Sequence, residues 1–372
     1  MSVATIELGD VVDVAKGISY RSSDYTDADG GLPFINLKCV GRGGGFRYDG
    51  IKYYAGTPKA DQYVDPGDIL IANTDLTQNR EVIGSPIVIP NIGGVSCFSL
   101  DLSKLKIKRP DMVDGRWLFY YLKSAKARSY MISHSNGSTV SHLNTKSVPK
   151  MGIDLPDMVT QRRIADILGS LDDKIELNRQ MNETLEQIGQ ALFRHYFIDN
   201  PDAKNWPDVK FGDLVCPRRG KSLTSKLMRP GVVPVVSGGL SPAGHHDEAN
   251  TVAPVITISA SGVNAGYVAL WGDNVWSADS SFIDSTMTDC IYYLYYVLES
   301  RQKEIYDSQT GSGQPHIYPS HIERLDIKKA PDRLLELFCE RASTMFGTIW
   351  DNECENEYLI ELRDALLREL IQ

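Results

Sequence analysis

Apolar positions along this chain follow two rhythms, and the switch between them marks out its elements. From about residue 30 to 110, short β-branched runs are cut by Gly, Pro, Asn and Asp, as in Leu32-Pro33-Phe34-Ile35, Asp68-Ile69-Leu70-Ile71-Ala72 and Pro86-Ile87-Val88-Ile89. Runs of this kind predict strands of a mixed or mainly antiparallel β region. The pattern returns in Val232-Val233-Pro234-Val235-Val236, Val255-Ile256-Thr257-Ile258 and Tyr267-Val268-Ala269-Leu270. Each β region closes on an aromatic run, Trp117–Leu122 and Tyr293–Leu298, which predicts a helix with its rings in a core. Then the rhythm changes. From Met158 to about Phe197 there is no proline, and Ile164, Leu168, Leu171, Ile175, Asn178, Asn182, Leu185, Gly189, Leu192 and Tyr196 step by four and three, a heptad seam. A second seam runs Phe338, Ala342, Met345, Ile349, Asn352, Asn356, Leu359, Arg363, Leu366, Leu370.

The two seams are one pattern written twice, 174 residues apart. Under that offset Ile175, Asn178, Asn182, Glu183, Leu185, Leu192 and Arg194 meet identical residues at Ile349, Asn352, Asn356, Glu357, Leu359, Leu366 and Arg368, and His142 meets His316. The β regions open alike too, on Ile6-Glu7-Leu8-Gly9-Asp10-Val11 and Val209-Lys210-Phe211-Gly212-Asp213-Leu214. An internal repeat of this length implies two similar units related by a pseudo-two-fold axis, which suits a target that is itself double, such as duplex DNA with two half-sites. The expected class is α+β: mixed domains at 1–155 and 199–330, separated by two long antiparallel coiled-coil helices at 156–198 and 331–372. About 40 residues per helix give a rod of roughly 60 Å. Asparagine within an apolar seam must find a hydrogen-bond partner, so Asn178, Asn182, Asn352 and Asn356 are expected to fix helix register. The polar, proline-bearing stretch Asp199–Pro207 reads as the linker between units.

The net charge of −9 argues at first against nucleic acid. It is unevenly spread: residues 1–155 carry +2, 156–198 carry −2, 199–330 carry −3 and 331–372 carry −6. The acid sits disproportionately in the last helix, which leaves the β regions able to meet phosphate, weakly and with help from partners. No basic n-region leads into an apolar run and no stretch approaches about 18 apolar residues, so neither a signal peptide nor a membrane span is expected. Six scattered cysteines without a Cys-x-x-Cys pair read as reduced thiols of a cytoplasmic protein.

Catalytic patterns fail one by one. Gly220-Lys221-Ser222 ends like a phosphate-binding loop, but Val215 stands where the first glycine is required. Gly43-Gly44-Gly45 lacks a strand–turn–helix context. Asp-x-Lys occurs in Asp208-Val209-Lys210 and Asp326-Ile327-Lys328 without a carboxylate constellation. His245-His246-Asp247-Glu248 has no second ligand cluster and reads as a loop. There is no Gly-x-Ser-x-Gly elbow and no Asn-Pro-Pro-Tyr or Asp-Pro-Pro-Tyr tetrad of amino-methyltransferases. The chain does not read as an enzyme.

The stretch Leu155-Pro156-Asp157-Met158-Val159-Thr160-Gln161-Arg162-Arg163-Ile164-Ala165-Asp166-Ile167-Leu168, followed by Leu171-Asp172-Asp173-Lys174-Ile175-Glu176-Leu177-Asn178, resembles the central helical region of type I restriction–modification specificity subunits. Gly67–Thr74 and Ile256–Tyr267 resemble that family's target-recognition domains. The resemblance covers essentially the whole chain. It implies two target-recognition domains, each reading half of a split double-stranded DNA sequence, held apart by the helices as a ruler. It also implies two methyltransferase (modification) subunits using S-adenosylmethionine, and restriction/translocase subunits using ATP and Mg, with no cofactor or metal on this chain. One departure is that Pro331-Asp332-Arg333-Leu334-Leu335-Glu336 replaces the Gln-Arg-Arg-Ile pattern at the second helix, so the two docking surfaces are not expected to be equivalent.

Base edges are read by Arg, Lys, Asn, Gln, Ser or Thr. In the first β region the candidates are Asn73, Thr74, Gln78, Asn79 and Arg80, in a polar stretch straight after a strand, with Arg42, Arg47 and Lys146 for phosphates. In the second they are Ser259, Ser261 and Asn264, with Arg218, Arg219, Lys221 and Lys226. The loops Gly137-Ser138-Thr139 and Gly311-Ser312-Gly313-Gln314 recur at equivalent places and are candidates for backbone contact. The competing reading is a non-enzymatic coiled-coil scaffold presenting two interaction domains to protein or glycan partners, which the mild acidity favours.

Overall fold

The computed structural model describes residues 4–311 and 313–371, and the chain divides into two compact units. Unit 1 joins Met1–Ile175 to Glu357–Gln372, and unit 2 is Glu176–Asn356. Each unit thus holds one β region and a stretch of both long helices.

In both units a short antiparallel strand pair gathers the ends of the β region. Ala4–Glu7 pairs with Gly152–Leu155, and Asp208–Lys210 pairs with Asp326–Lys328. The recurrent Gly-Asp step follows the first strand of each pair. There the Asp10 carboxylate accepts the Glu7 amide at 3.1 Å, and the Asp213 carboxylate accepts the Lys210 amide at 2.8 Å. Glycine is required at the first turn, because a Cβ on Gly9 would stand 2.8 Å from Pro149 Cβ.

Unit 1 carries a four-stranded antiparallel sheet in the order Val12–Lys16, Leu102–Ile107, Ile69–Ala72, Pro86–Val88. Beside it lies a five-stranded sheet in which Ser96–Phe98 runs parallel to Leu32–Ile35. Unit 2 repeats the first sheet as Arg218–Arg219, Ser280–Asp284, Val255–Ser259, Val268–Trp271. Its second sheet keeps the parallel pair, Val233–Val236 with Trp276–Ser277, in three strands where unit 1 has five. The strands expected from β-branched runs are present; the central ones, Ile69–Ala72 and Val255–Ser259, are buried at every position and so on both faces of their sheets.

The aromatic runs form helices α1 (Gly115–Lys123) and, after α2 (Ala125–Ser133) and the long α3 (Met158–Phe193), α4 (Ile291–Ser300). Short helices α5 (Gln302–Asp307) and α6 (Pro319–Glu323) precede α7 (Asp332–Leu370). Asp114 caps α1 by accepting the amides of Arg116 and Trp117 at 3.0 and 3.1 Å. Asp157 caps α3 by accepting the Thr160 amide at 2.9 Å. Gln161 of the Gln-Arg-Arg-Ile stretch is fully buried. Its side chain accepts the Asp114 amide at 2.8 Å and donates to the carbonyls of Met112 and Pro156, each at 2.8 Å, so it ties the start of α3 to the start of α1. After Phe193 the helix widens into a π turn, Arg194–Ile198, before the linker prolines.

The long helices run antiparallel within unit 2. Asn178 Nδ2 donates to Asn356 Oδ1 at 3.0 Å and Asn352 Nδ2 donates to Asn182 Oδ1 at 2.7 Å, so numbers rise on one helix as they fall on the other. Asn182 Nδ2 also donates to the Ile349 carbonyl at 3.1 Å. The 174-residue offset carries one asparagine pair onto the other. Away from the asparagines the buried face drifts off the heptad seam. Phe193 and Phe197 are buried where Leu192 and Tyr196 were expected, and Leu367 and Ile371 where Leu366 and Leu370 were. The reason is a change of partner: Phe193 stacks on Tyr296 of α4 with centroids 5.7 Å apart, and Phe197 meets Tyr293 edge-on at 4.8 Å. Leu367 and Ile371 join the core of α1, with Trp117 and Tyr121.

Candidate nucleic-acid interface

In unit 1 the polar stretch after strand Ile69–Ala72 is organised by a buried carboxylate that sequence reasoning missed. Asp75 is wholly inaccessible to solvent. Its Oδ1 accepts the Thr77 amide at 2.6 Å and the Thr77 hydroxyl at 2.7 Å, and its Oδ2 accepts the amides of Val82 and Ile83 at 2.6 and 2.7 Å. Burial alone would raise this carboxyl's pKa; the bonds from Thr77 and from the Ile83 and Val82 amides prevail and hold it below the usual range. The result is a closed loop whose tip, Gln78-Asn79-Arg80, faces outward. Gln78 and Asn79 are exposed. Arg80 sits at φ +55°, a left-handed conformation uncommon for a non-glycine residue. The Arg128 guanidinium donates to the carbonyls of Ile83, Arg80 and Glu81 from behind, the latter two at 3.3 and 3.0 Å.

The second loop the sequence singled out is brought alongside. Ser135–Asn136, Ser141–Leu143 and Thr74–Asp75 form a three-stranded sheet, and Arg80 donates to the Gly137 carbonyl at 3.2 Å. Arg42 adjoins the same edge through Glu81, at 3.1 Å. Arg47 pairs at 2.6 Å with Asp49, two residues along, and Lys146 is exposed. Asn73 and Thr74 are turned inward, contrary to their expected base-reading role. Asn73 Nδ2 donates to the Leu100 carbonyl at 3.1 Å, and the Thr74 hydroxyl donates to Asp101 at 3.1 Å. Both belong to the sheet edge that supports the loop.

Unit 2 reproduces the support with different residues. The Ser261 hydroxyl donates to Asp279, as Thr74 does to Asp101, and both aspartates directly precede equivalent strands. Ser261 bridges to His316 as Thr74 pairs with His142. Arg219 donates to Asp279 at 2.7 Å, and Asn264 Nδ2 donates to the Gly238 carbonyl at 3.4 Å. Ser259 is buried, contrary to its expected base-reading role, and its hydroxyl has no hydrogen-bond partner among the described residues. Arg218, Lys221 and Lys226 are exposed; the Lys221 backbone is fastened by its amide to the Ser277 carbonyl at 2.9 Å. The Gly311–Gln314 loop lies against His316 through Thr310, with Ser312 outside the described residues. The structure therefore gathers Gln78, Asn79, Arg80 and Arg42 with the Gly137 loop, and Arg219, Ser261 and Asn264 with the His316 loop.

Of the His245–Glu248 stretch, expected to be a loop, His245 and His246 instead end the strand Gly244–His246, because their backbone pairs antiparallel with Val233–Val235. Arg229 pairs with Asp247 and Glu248 just beyond it, each at 2.7 Å, while its amide donates to His246 Nδ1 at 2.9 Å. Among the described residues no group of three or more His, Cys, Asp or Glu is placed to hold a metal, and no helix is long and apolar enough to cross a membrane.

Residues 2–187 match the family described as "Type I restriction modification DNA specificity domain". Among curated proteins, the chain is 46% identical over 91 residues to the type I restriction enzyme HindI specificity subunit of Haemophilus influenzae, a match covering 24% of this chain and 20% of that protein. It is 25% identical over 342 residues to the type I restriction enzyme MjaIX specificity subunit of Methanocaldococcus jannaschii, covering 82% of this chain and 74% of that protein. Among solved structures, the type I restriction–modification S subunit from M. genitalium superposes with a TM-score of 0.66 at 16% identity, covering 100% of this chain and 96% of that one. That likeness shows a common fold.

Proposed function

Because the chain belongs to the type I restriction–modification DNA specificity family, we propose that it is the sequence-reading subunit of such a complex and reads a target in two parts. The β region of unit 1 reads one half-site through the loop tip Gln78-Asn79-Arg80, and that of unit 2 reads the other through Arg219, Ser261 and Asn264. The single observation that carries this reading is the uneven repeat. Seams and asparagine pairs are preserved between the halves, while the loops at equivalent sheet edges differ residue by residue. Equal helices with unequal reading heads suit two different half-sites at a set distance.

On this reading the chain is not itself a catalyst. Two modification subunits dock on it and transfer methyl groups from S-adenosylmethionine to adenine, and restriction/translocase subunits bring ATP- and Mg-dependent chemistry, all in the cytoplasm. Deleting the chain's gene and mapping methylated adenines across the genome tests the proposal. A split motif present in the parent is expected to vanish on deletion and return on complementation. An unchanged methylation map overturns it.

A further inference from the structure

Each unit has an open cleft where α1 or α4 meets a long helix, and the two clefts are counterparts. In unit 1 the cleft (≈ 620 Å³) is lined by Lys123 and Ser124 from the end of α1 and by Arg363, Asp364, Leu367 and Arg368 of α7, and its rim reaches Arg42 at the nucleic-acid edge. In unit 2 the cleft (≈ 960 Å³) is lined by Glu299 and Ser300 from the end of α4, and by Phe193 of α3 with Arg194 of the turn that follows it. Its two arginines already have partners, Arg194 in Asp199 at 2.8 Å and Arg301 in Glu304 at 3.1 Å, which leaves Glu299 as the carboxylate without one. The aromatic runs of α1 and α4 align Lys123 with Glu299, and the 174-residue offset aligns Leu367 and Arg368 with Phe193 and Arg194. One inner position has thus inverted its charge.

Neither group forms a salt bridge inside its own unit among the described residues. Lys123 lies with its amine 5.3 Å over the Phe119 ring, and no carboxylate pairs with it among the described residues. Burial and the nearby Arg363 charge push its pKa down, against the opposing pull of the Asp172 and Asp364 carboxylates. Glu299 accepts a hydrogen bond from Gln190 at 2.9 Å and has no cationic partner among the described residues; burial pushes its pKa up, and its charge helps raise that of Glu186. A half-buried charge with no salt-bridge partner gains from an opposite charge brought by a partner.

We infer that the two clefts dock oppositely charged segments of partner protein, an acidic one at Lys123 and a basic one at Glu299, so that two identical modification subunits bind this chain inequivalently. This rests on the subunit reading above. A single protein surface cannot complement both clefts in the same pose, so the two sites differ in affinity and fill in order.

The test is titration of the full-length chain with its cognate modification subunit, followed by mass photometry and calorimetry at two salt concentrations. Two resolved steps are expected. Lys123→Glu weakens one step by at least about tenfold, and Glu299→Lys weakens the other. Lys123→Gln and Glu299→Gln show smaller losses at the same steps, and circular dichroism melts check that every variant folds. Two equal steps, or variants that leave both steps at wild-type strength, overturn the inference. So does a Lys123→Glu variant that weakens duplex DNA binding by the chain alone while leaving subunit binding intact, which would assign the unit 1 cleft to backbone phosphate. If the wild-type chain binds no modification subunit at all, the subunit reading itself falls, and the inference with it.

Discussion

Replacing Asp75 with asparagine tests whether one buried carboxylate sets the geometry of the unit 1 loop that runs from it to Ile83. The wild-type group accepts four hydrogen bonds of 2.6–2.7 Å, two on each oxygen. The amide keeps the shape but offers one acceptor oxygen and one donor nitrogen. With its NH₂ toward Val82 and Ile83, it leaves two buried amides unpaired; turned the other way, it opposes the Thr77 amide, while the Thr77 hydroxyl can rotate to accept. The better orientation therefore orphans one buried amide, at about 1–3 kcal/mol. It also converts the two remaining bonds from charged to neutral, at roughly 1 kcal/mol in all. A loss of about 3 kcal/mol in loop opening corresponds to a change on the order of a hundredfold in exchange protection. Native-state hydrogen exchange at the Val82 and Ile83 amides reads it directly. Because the folded carboxyl's pKa is lowered, its contribution is present above the ordinary carboxylate range of about 4 and is lost as pH falls through the folded value. The gap between wild type and Asp75→Asn should accordingly be full at pH 7 and narrow in acid. Protection within threefold of wild type at neutral pH would refute the assignment of the loop's shape to this group.

Three further outcomes are expected. Arg80→Gly should leave the fold intact or stabilise it by up to about 1 kcal/mol, because glycine takes φ +55° without strain, while cognate DNA affinity of the assembled complex drops in a mobility-shift assay. Asn352→Leu should cost about 1–2 kcal/mol in a denaturant titration by stripping the Asn182 side-chain oxygen of its donor, and the double Asn182→Leu/Asn352→Leu variant should regain most of it; a double no more stable than either single contradicts the pairing. Gly189→Ala should lower the melting temperature by the equivalent of about 1–3 kcal/mol, since its Cβ would stand 1.9 Å from the Tyr296 hydroxyl oxygen, with partial rescue by Tyr296→Phe.

The helices were the most legible part of the sequence, because a heptad is a local rhythm that survives without knowledge of partners. It misled only where the partner changed: Phe193, Phe197, Leu367 and Ile371 face α4 or α1, a surface no seam reveals. Strands were legible from β-branched runs, and so was the loop tip at Gln78–Arg80. The inward turn of Asn73, Thr74 and Ser259 was not, since a polar residue after a strand reads alike whether it meets water or a hidden aspartate. Asp75 escaped notice for a related reason: its partners at Val82 and Ile83 are backbone amides, which carry no side-chain signature. The inverted pair Lys123 and Glu299 was masked by a two-residue difference between the register of the aromatic helices and that of the seams.

The strand pairs that close each β region, Ala4–Glu7 with Gly152–Leu155 and Asp208–Lys210 with Asp326–Lys328, have an evolutionary consequence. Everything between the strands of such a pair leaves the helical framework and rejoins it at one spot. A gene segment bounded by those codons carries a whole β region together with its α1 or α4, so recombination there would exchange it in one step. Only the framework residues that pack on that helix, such as Phe193 on Tyr296 and Leu367 beside Trp117, would have to accept a new partner. New pairings of β regions would then arise in single genetic events, without the long walk through point mutations that remodelling a loop in place would demand.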